Sequence, residues 1–192
     1  ERYHVKTIKN FIGFDADKEK VFTAIKSGQS VFLTGICGTG KSHLAVGLLK
    51  IAHYLGAASP VEVPQYEHRY VPDRTYRFLA AVDFFLELKS TFGDTPGNEE
   101  QVVDKYCKCT CLLIDDIGAE KVSDWSRQMF YTLIDRRYRD MKQTIITSNL
   151  SLGELARHID TRITSRLLEM GIAIDLGKVD YRKKAFERKR NG

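Results

Sequence analysis

The run Val31 to Ser42, VFLTGICGTGKS, sets a lysine and a hydroxyl directly behind three glycines, a combination suited to gripping phosphate. Glycines let successive backbone N–H groups turn into one concavity, and a helix starting there offers its unpaired amides and positive dipole end to the same anion. In the spacing Gly35-x4-Gly40-Lys41-Ser42 the lysine reaches the outer phosphates and the serine hydroxyl can ligate magnesium. The expected nucleotide-binding segment is therefore Gly35, Ile36, Cys37, Gly38, Thr39, Gly40, Lys41, Ser42 and His43.

Three further groups could complete such a site. Cys109 to Asp116 (CTCLLIDD) reads as an apolar strand ending in two acids. A parallel strand buried on both faces must be apolar along its length, so the acids belong at its end, beside the glycine loop. There Asp115 would share a magnesium ion with Ser42, and Asp116 would orient or deprotonate a water attacking the γ-phosphate. The plainer alternative is a strand leaving into a polar turn. Asn149 closes the strand-like TIITS and can hydrogen-bond both that water and the γ-phosphate, although asparagine also serves as a turn former. Arg162 and Arg166 stand four residues apart, on one face of a helix. Facing the nucleotide of a neighbouring subunit, one of them would act as an arginine finger, and otherwise both form surface salt bridges.

The elements that must position these groups are legible from periodicity. Asp17 to Ser27 reads as a short helix with Val21, Phe22 and Ile25 apolar, ended by Gly28. Val31 to Leu33 is a buried strand, and Ala45, Leu48, Leu49 and Ala52 form the apolar stripe of the helix after the loop. Arg77 to Val82 is a second strand, with Asp83 capping a helix that turns Phe84, Phe85 and Leu88 inward, and Glu99 to Lys105 starts another. Ser123 to Met141 is a long amphipathic helix whose Met129, Phe130, Leu133 and Ile134 face the core. Its Arg136, Arg137 and Arg139 lie on the other side or at the cationic end that suits the helix dipole. Leu152 to His158 and Asp160 to Met170 are short helices, and Gly171 to Leu176 supplies a fifth strand. Pro60, Pro64 and Pro72 mark an irregular insertion, with Arg69, Arg74 and Arg77 among tyrosines that either stack on bases or decorate the surface. Phe11 and Ile12 either cover an adenine or pack ordinarily. Trp125, the single tryptophan, is either core or a base-stacking platform.

At 192 residues, 43% hydrophobic and 29% charged, the chain suits one domain with a substantial core. No apolar run approaches the roughly 20 residues that cross a bilayer, and the first residues lack a signal-peptide core, so a soluble cytoplasmic protein is expected. A net charge of +5 and a pI near 9.0 suit either a polyanionic partner or a solvated basic surface. Cys107, Cys109 and Cys111 alternate as if on one strand face, without the second pair of a zinc finger, and read as thiols in a reducing compartment.

Taken in order, GICGTGKS, CLLIDDIG, TIITSN and DTRITSRLLEM resemble the AAA+ ATPase core of the DnaC/DnaI helicase loaders and the related IstB-like transposition helpers, from about residue 10 to residue 182. The resemblance implies a three-layer α/β P-loop fold with a five-stranded parallel sheet in AAA+ strand order, helices on both faces and no C-terminal lid domain. It makes Gly35 to Ser42 Walker A, Asp115 and Asp116 Walker B, Asn149 sensor 1, and Arg162 with Arg166 the box carrying the finger. It further implies binding of ATP or ADP with Mg2+, hydrolysis, and oligomerisation in the ATP state from a possible monomer. The implied partners are single-stranded DNA and a replicative helicase, or a transposase in the helper reading. Loaders of this type usually carry an N-terminal domain that grips the helicase. The expected organisation is a linker and short helix over 1–28, the ATPase domain over 29–177 and a basic tail over 178–192 that is either solvated or touches a phosphate backbone. A clade-specific helical insert over 83–106 would pack between subunits, and Phe92, Lys121 and Trp125 are the candidate DNA contacts. Two rivals remain on the residues alone: a small-molecule phosphotransferase, and a scaffold that binds ATP without hydrolysing it.

Overall fold

The computed structural model describes residues 17–58, 75–91, 98–118, 123–181 and 183. Five strands, β1 (Ser30–Thr34), β2 (Tyr76–Ala80), β3 (Cys111–Ile117), β4 (Gln143–Ser148) and β5 (Gly171–Asp175), form one sheet in the order β2-β3-β4-β1-β5. Every pairing is parallel, with Leu33 beside Thr147 and Ala80 beside Asp115. Parallel strands put all their carboxyl ends on one edge, and β4 lies between β1 and β3 there, so the glycine loop and the acid pair flank a single strand.

Helices α1 (Lys18–Lys26) and α2 (Lys41–Ala58) cover one face, while α3 (Ala81–Ser90), α4 (Asn98–Cys107), α5 (Asp124–Arg139), α6 (Leu152–His158) and α7 (Thr161–Met170) cover the other. Alternation along the strands sorts their side chains between these layers. On β3, Leu112 and Ile114 join Phe84, Phe130 and Leu133, whereas Cys111 and Leu113 join Leu44 and Leu48. The three-layer α/β architecture with its five parallel strands is thus as the family resemblance implies. Ser123 caps α5 through the Ser126 N–H, and Ser151 with Glu154 closes a capping box on α6.

Local differences have physical causes. β2 stops at Ala80, and Ala81 and Val82 already belong to α3, so Asp83 does not cap that helix but adds negative charge to its first turn. The three clustered cysteines do not share a strand face: Cys107 ends α4, Cys109 lies in the turn, and Cys111 opens β3 toward the opposite core layer. All three are buried and none is in a disulfide. Burial pushes their thiols up, to about 11 for Cys107 and about 12 for Cys111. Arg137 is not a surface cation of the helix end. It is fully buried, and its guanidinium donates to the carbonyls of Tyr106 (2.8 Å), Cys109 (3.0 Å) and Gln143 (2.5 Å) and to Thr144 Oγ1 (2.9 Å). It thereby satisfies the carboxyl end of α4 and the start of β4 together.

Candidate nucleotide-binding site

The loop from Gly35 to Gly40 joins β1 to α2, with all three glycines at positive φ (138°, 86° and 94°). Only glycine holds such a run without strain. Thr39, buried beneath the loop, donates through its N–H and hydroxyl to Ile36 O at 3.4 and 3.1 Å, curling the chain back on itself. Ile36 and Cys37 are exposed at the rim, and Ser42 and His43 are half-buried in the first turn of α2.

Lys41 is only 6% exposed and donates to Gly35 O (2.7 Å), Ile36 O (2.9 Å) and Asn149 Oδ1 (2.7 Å). The amide of Asn149 in turn donates to Asp116 Oδ1 at 2.5 Å. Lysine, asparagine and aspartate from three different strand ends thus form one chain of contacts. Asp115 is buried and accepts from the Thr147 hydroxyl at 2.6 Å, while the same oxygen of Thr147 accepts the Asp116 N–H at 2.8 Å.

Asp116 stands in the left-handed region, φ 62°, and is exposed. The ladder explains it: Ile114 faces Ile146 but Ile117 faces Ser148, so β3 advances three residues while β4 advances two. One residue is extra, and it is Asp116. The strand therefore continues past the acids to Ile117, instead of ending at them, and the bulge lifts the second acid out of the pleat. Aspartate tolerates this conformation better than most residues.

The segment after β5 also belongs to the loop's surroundings, and no sequence signal marked it. Leu176 N–H donates to Thr34 O (2.9 Å), Ile36 N–H to Gly177 O (3.4 Å) and Tyr181 N–H to Gly38 O (3.1 Å). A Cβ on Gly38 would meet Asp180 Oδ1 at 2.0 Å, so glycine is demanded there by close approach as well as by φ.

Arg162 and Arg166 lie away from this chain of contacts, on α7. Arg162 pairs with Asp160, the N-cap of its own helix, at 2.7 Å, and stacks over the Tyr131 ring at 4.3 Å. The hydrogen bond from Arg162 lowers the Asp160 carboxyl and raises the guanidinium. Arg166 reaches across to α5, donating to Asp135 Oδ1 through Nε (2.8 Å) and pairing through Nη2 (2.7 Å), with Tyr131 Oη at 3.0 Å. Both arginines are thus engaged within their own chain. Trp125 is half-buried against the main core cluster, which favours its core role. Phe92, Lys121, Phe11, Ile12 and the 60–74 stretch with Arg69 and Arg74 lie outside the described residues. Among the described residues no three His, Cys, Asp or Glu side chains cluster as a metal cage, and no helix is long and apolar enough to cross a membrane.

A glycine loop between a central parallel strand and a helix, paired acids two strands away and an asparagine on the strand between them define a P-loop nucleotide-binding domain of AAA+ type. The family model described as IstB-like ATP binding protein matches residues 73–187, more than half of the chain, and the chain belongs to that family. The matched span holds Asp115, Asp116, Asn149, Arg162 and Arg166, while the glycine loop precedes it. The chain is 26% identical over 186 residues to the replicative helicase loader DnaC of Buchnera aphidicola subsp. Baizongia pistaciae, covering 96% of this chain and 69% of that protein. It is 28% identical over 159 residues to an insertion sequence IS5376 ATP-binding protein of Geobacillus stearothermophilus, covering 80% of this chain and 55% of the relative. Among solved structures, a crystal structure of the DnaC helicase loader superposes with a TM-score of 0.71 at 22% identity, over 91% of this chain and 98% of the other. That likeness supports the fold described above.

Proposed function

We propose that this domain hydrolyses ATP with magnesium and uses the cycle to load a replicative helicase onto single-stranded DNA. The observation that carries the reading is the contact chain Lys41–Asn149–Asp116, which ties the phosphate-binding lysine to a candidate catalytic acid. In this reading the loop amides and Lys41 hold the phosphates, Asp116 orients the attacking water, and Asn149 sets the distance between them. Ser42 and the buried Asp115 suit magnesium, which takes most of its ligands from phosphate and water and needs few from protein. Its charge would neutralise the β- and γ-phosphate oxygens. Hydrolysis needs a neighbouring copy, because Arg166 or Arg162 must leave its intramolecular acid to reach a γ-phosphate. The net charge of +5 suits a nucleic-acid partner, and residues 83–106 are the candidate subunit-packing insert.

The test is ATPase activity against protein concentration, with and without single-stranded DNA. Turnover per chain should be feeble when dilute and rise on assembly; a low rate independent of concentration and DNA would sink the assembly reading. The 28% identity to an insertion-sequence ATP-binding protein supports a second reading, a DNA-binding helper of a transposase. Capture of a replicative helicase, as against a transposase, by the ATP-bound protein separates the two.

A further inference from the structure

We infer that Thr147 is a positioning residue for both acids, a role that rests on the nucleotide-hydrolysis reading above and adds to it a residue of the TIITSN segment so far given no function. Its hydroxyl is fully buried and has one proton to give and lone pairs to receive with. Both capacities are used on the acid pair: the proton goes to Asp115 Oδ1 at 2.6 Å, and the oxygen accepts the Asp116 N–H at 2.8 Å. The first bond fixes the rotation of the Asp115 carboxylate and leaves its other oxygen outside the bond. The second satisfies the Asp116 N–H at the register shift between Ile114 and Ile117 and holds Asp116 at φ 62°. Asp116 is then presented to the Asn149 amide.

Thr147 reaches the acids because β4 is the central neighbour of β3, and its partner Leu33 on β1 fills the other side of the same row. Valine has the same branched shape and neither bond, so Thr147→Val removes the hydroxyl while keeping the packing. Serine keeps the hydroxyl without the methyl. Groups that orient metal ligands and catalytic acids from behind typically matter by about 10- to 100-fold.

Three readouts decide it, all on the full chain: turnover of Mg-ATP, Mn2+ affinity in the presence of a non-hydrolysable ATP analogue, and binding of a fluorescent ATP analogue in EDTA. Thr147→Val should lose about 10- to 100-fold in kcat and about fivefold or more in Mn2+ affinity, with metal-free analogue binding within about twofold of wild type. Thr147→Ser should restore kcat to within about threefold, which a role in packing alone would not predict. If Thr147→Val does not fold, Thr147→Ser against Thr147→Cys, alike in size, makes the same comparison, since a thiol bonds weakly on both sides. Unchanged turnover in Thr147→Val, or folded Thr147→Ser as impaired as the valine variant, overturns the inference alone. Wild-type protein with no turnover at any concentration, with or without single-stranded DNA, overturns the hydrolysis reading and this inference with it.

Discussion

If Arg166 completes a neighbour's site, the neighbour's phosphate must displace Asp135, and neutralising that acid should lower the concentration at which assembly switches hydrolysis on. The pair is short, at 2.7 and 2.8 Å, and neither side chain is fully buried, at 24% and 19% exposure. Asp135 also holds Arg139 at 3.1 Å, and Tyr131 supports Arg166 by its hydroxyl and its ring. An exposed pair is worth about 0–1 kcal/mol and breaking a buried one costs about 3–5 kcal/mol, so this half-shielded contact holds the finger by about 1–2 kcal/mol. At about 1.4 kcal/mol per factor of ten, Asp135→Asn should shift the half-maximal concentration for ATPase stimulation down by about 5- to 30-fold. The assay is turnover per chain across a dilution series at saturating ATP, with light scattering reporting assembly. Arg166→Ala in parallel should bind ATP normally and show no stimulation at any concentration. A half-maximal concentration in Asp135→Asn that is unchanged or raised would mean that the guanidinium does its work where it sits, and the exchange argument would be wrong.

Three other outcomes follow from the same geometry. Asp116→Asn keeps a side chain that accepts positive φ but removes the carboxylate, so ATP binding should persist while turnover falls by about 100-fold or more; full function in a helicase-loading assay would instead support the non-hydrolysing scaffold. Of the four thiols only Cys37 is exposed, and it lies in the phosphate loop. A disulfide reagent should therefore titrate one group rapidly in native protein and four in denaturant, and ATP should slow that single reaction; an unaffected rate would place the nucleotide elsewhere. The thiols of Cys107 and Cys111 are raised to about 11 and about 12, so from roughly pH 9 upward the unfolded chain releases protons that the folded chain retains. Stability should fall with rising pH through the window from about 9 to about 12, each thiol contributing at most about 1.4 kcal/mol per pH unit, and urea unfolding of a Cys107→Ala, Cys111→Ala protein should show a shallower decline than wild type.

The groups visible in the sequence are those whose chemistry is local. Three glycines, a lysine and a serine in fixed spacing need only the strand before and the helix after them, and both are written in the adjacent hydrophobic pattern. The acid pair was placed from the apolar strand in front of it, and Asn149 from the end of TIITS. Thr147, in that same TIITS, carries no local signal, because its significance comes from the β3–β4 register and from a bulge 31 residues earlier. Arg137 is hidden for a related reason: at a helix end a cation suits the dipole, and nothing in the local pattern shows the end of α4, the turn after it and the start of β4 converging on it. The cysteine alternation misled because CKCTC spans a helix end, a turn and a strand start, so the period of two has no strand to act on. The strap from Leu176 to Tyr181 carries no motif, since its bonds to the loop use backbone atoms that any sequence would offer.

The bulge at Asp116 explains how two adjacent acids can serve one site at all. In a regular strand neighbours point to opposite faces, so with Asp115 on the α2 side the next residue would enter the core layer built around Phe84 and Phe130. A carboxylate buried there without a partner would cost several kcal/mol, far more than the roughly 1–2 kcal/mol of a left-handed aspartate. Inserting Asp116 as the extra residue hands that inward position to Ile117, which is 1% exposed and packs in this layer. The acid is thereby moved to the surface within reach of Asn149. The conformational cost of the bulge is offset at two points, the Thr147 hydroxyl on its N–H and the Ser148 hydroxyl on Ile117 O at 2.7 Å, both from β4. The strand between the glycine loop and the acids therefore does more than separate them: three consecutive residues, Thr147, Ser148 and Asn149, hold the bulge open, orient the first acid and join the second to Lys41.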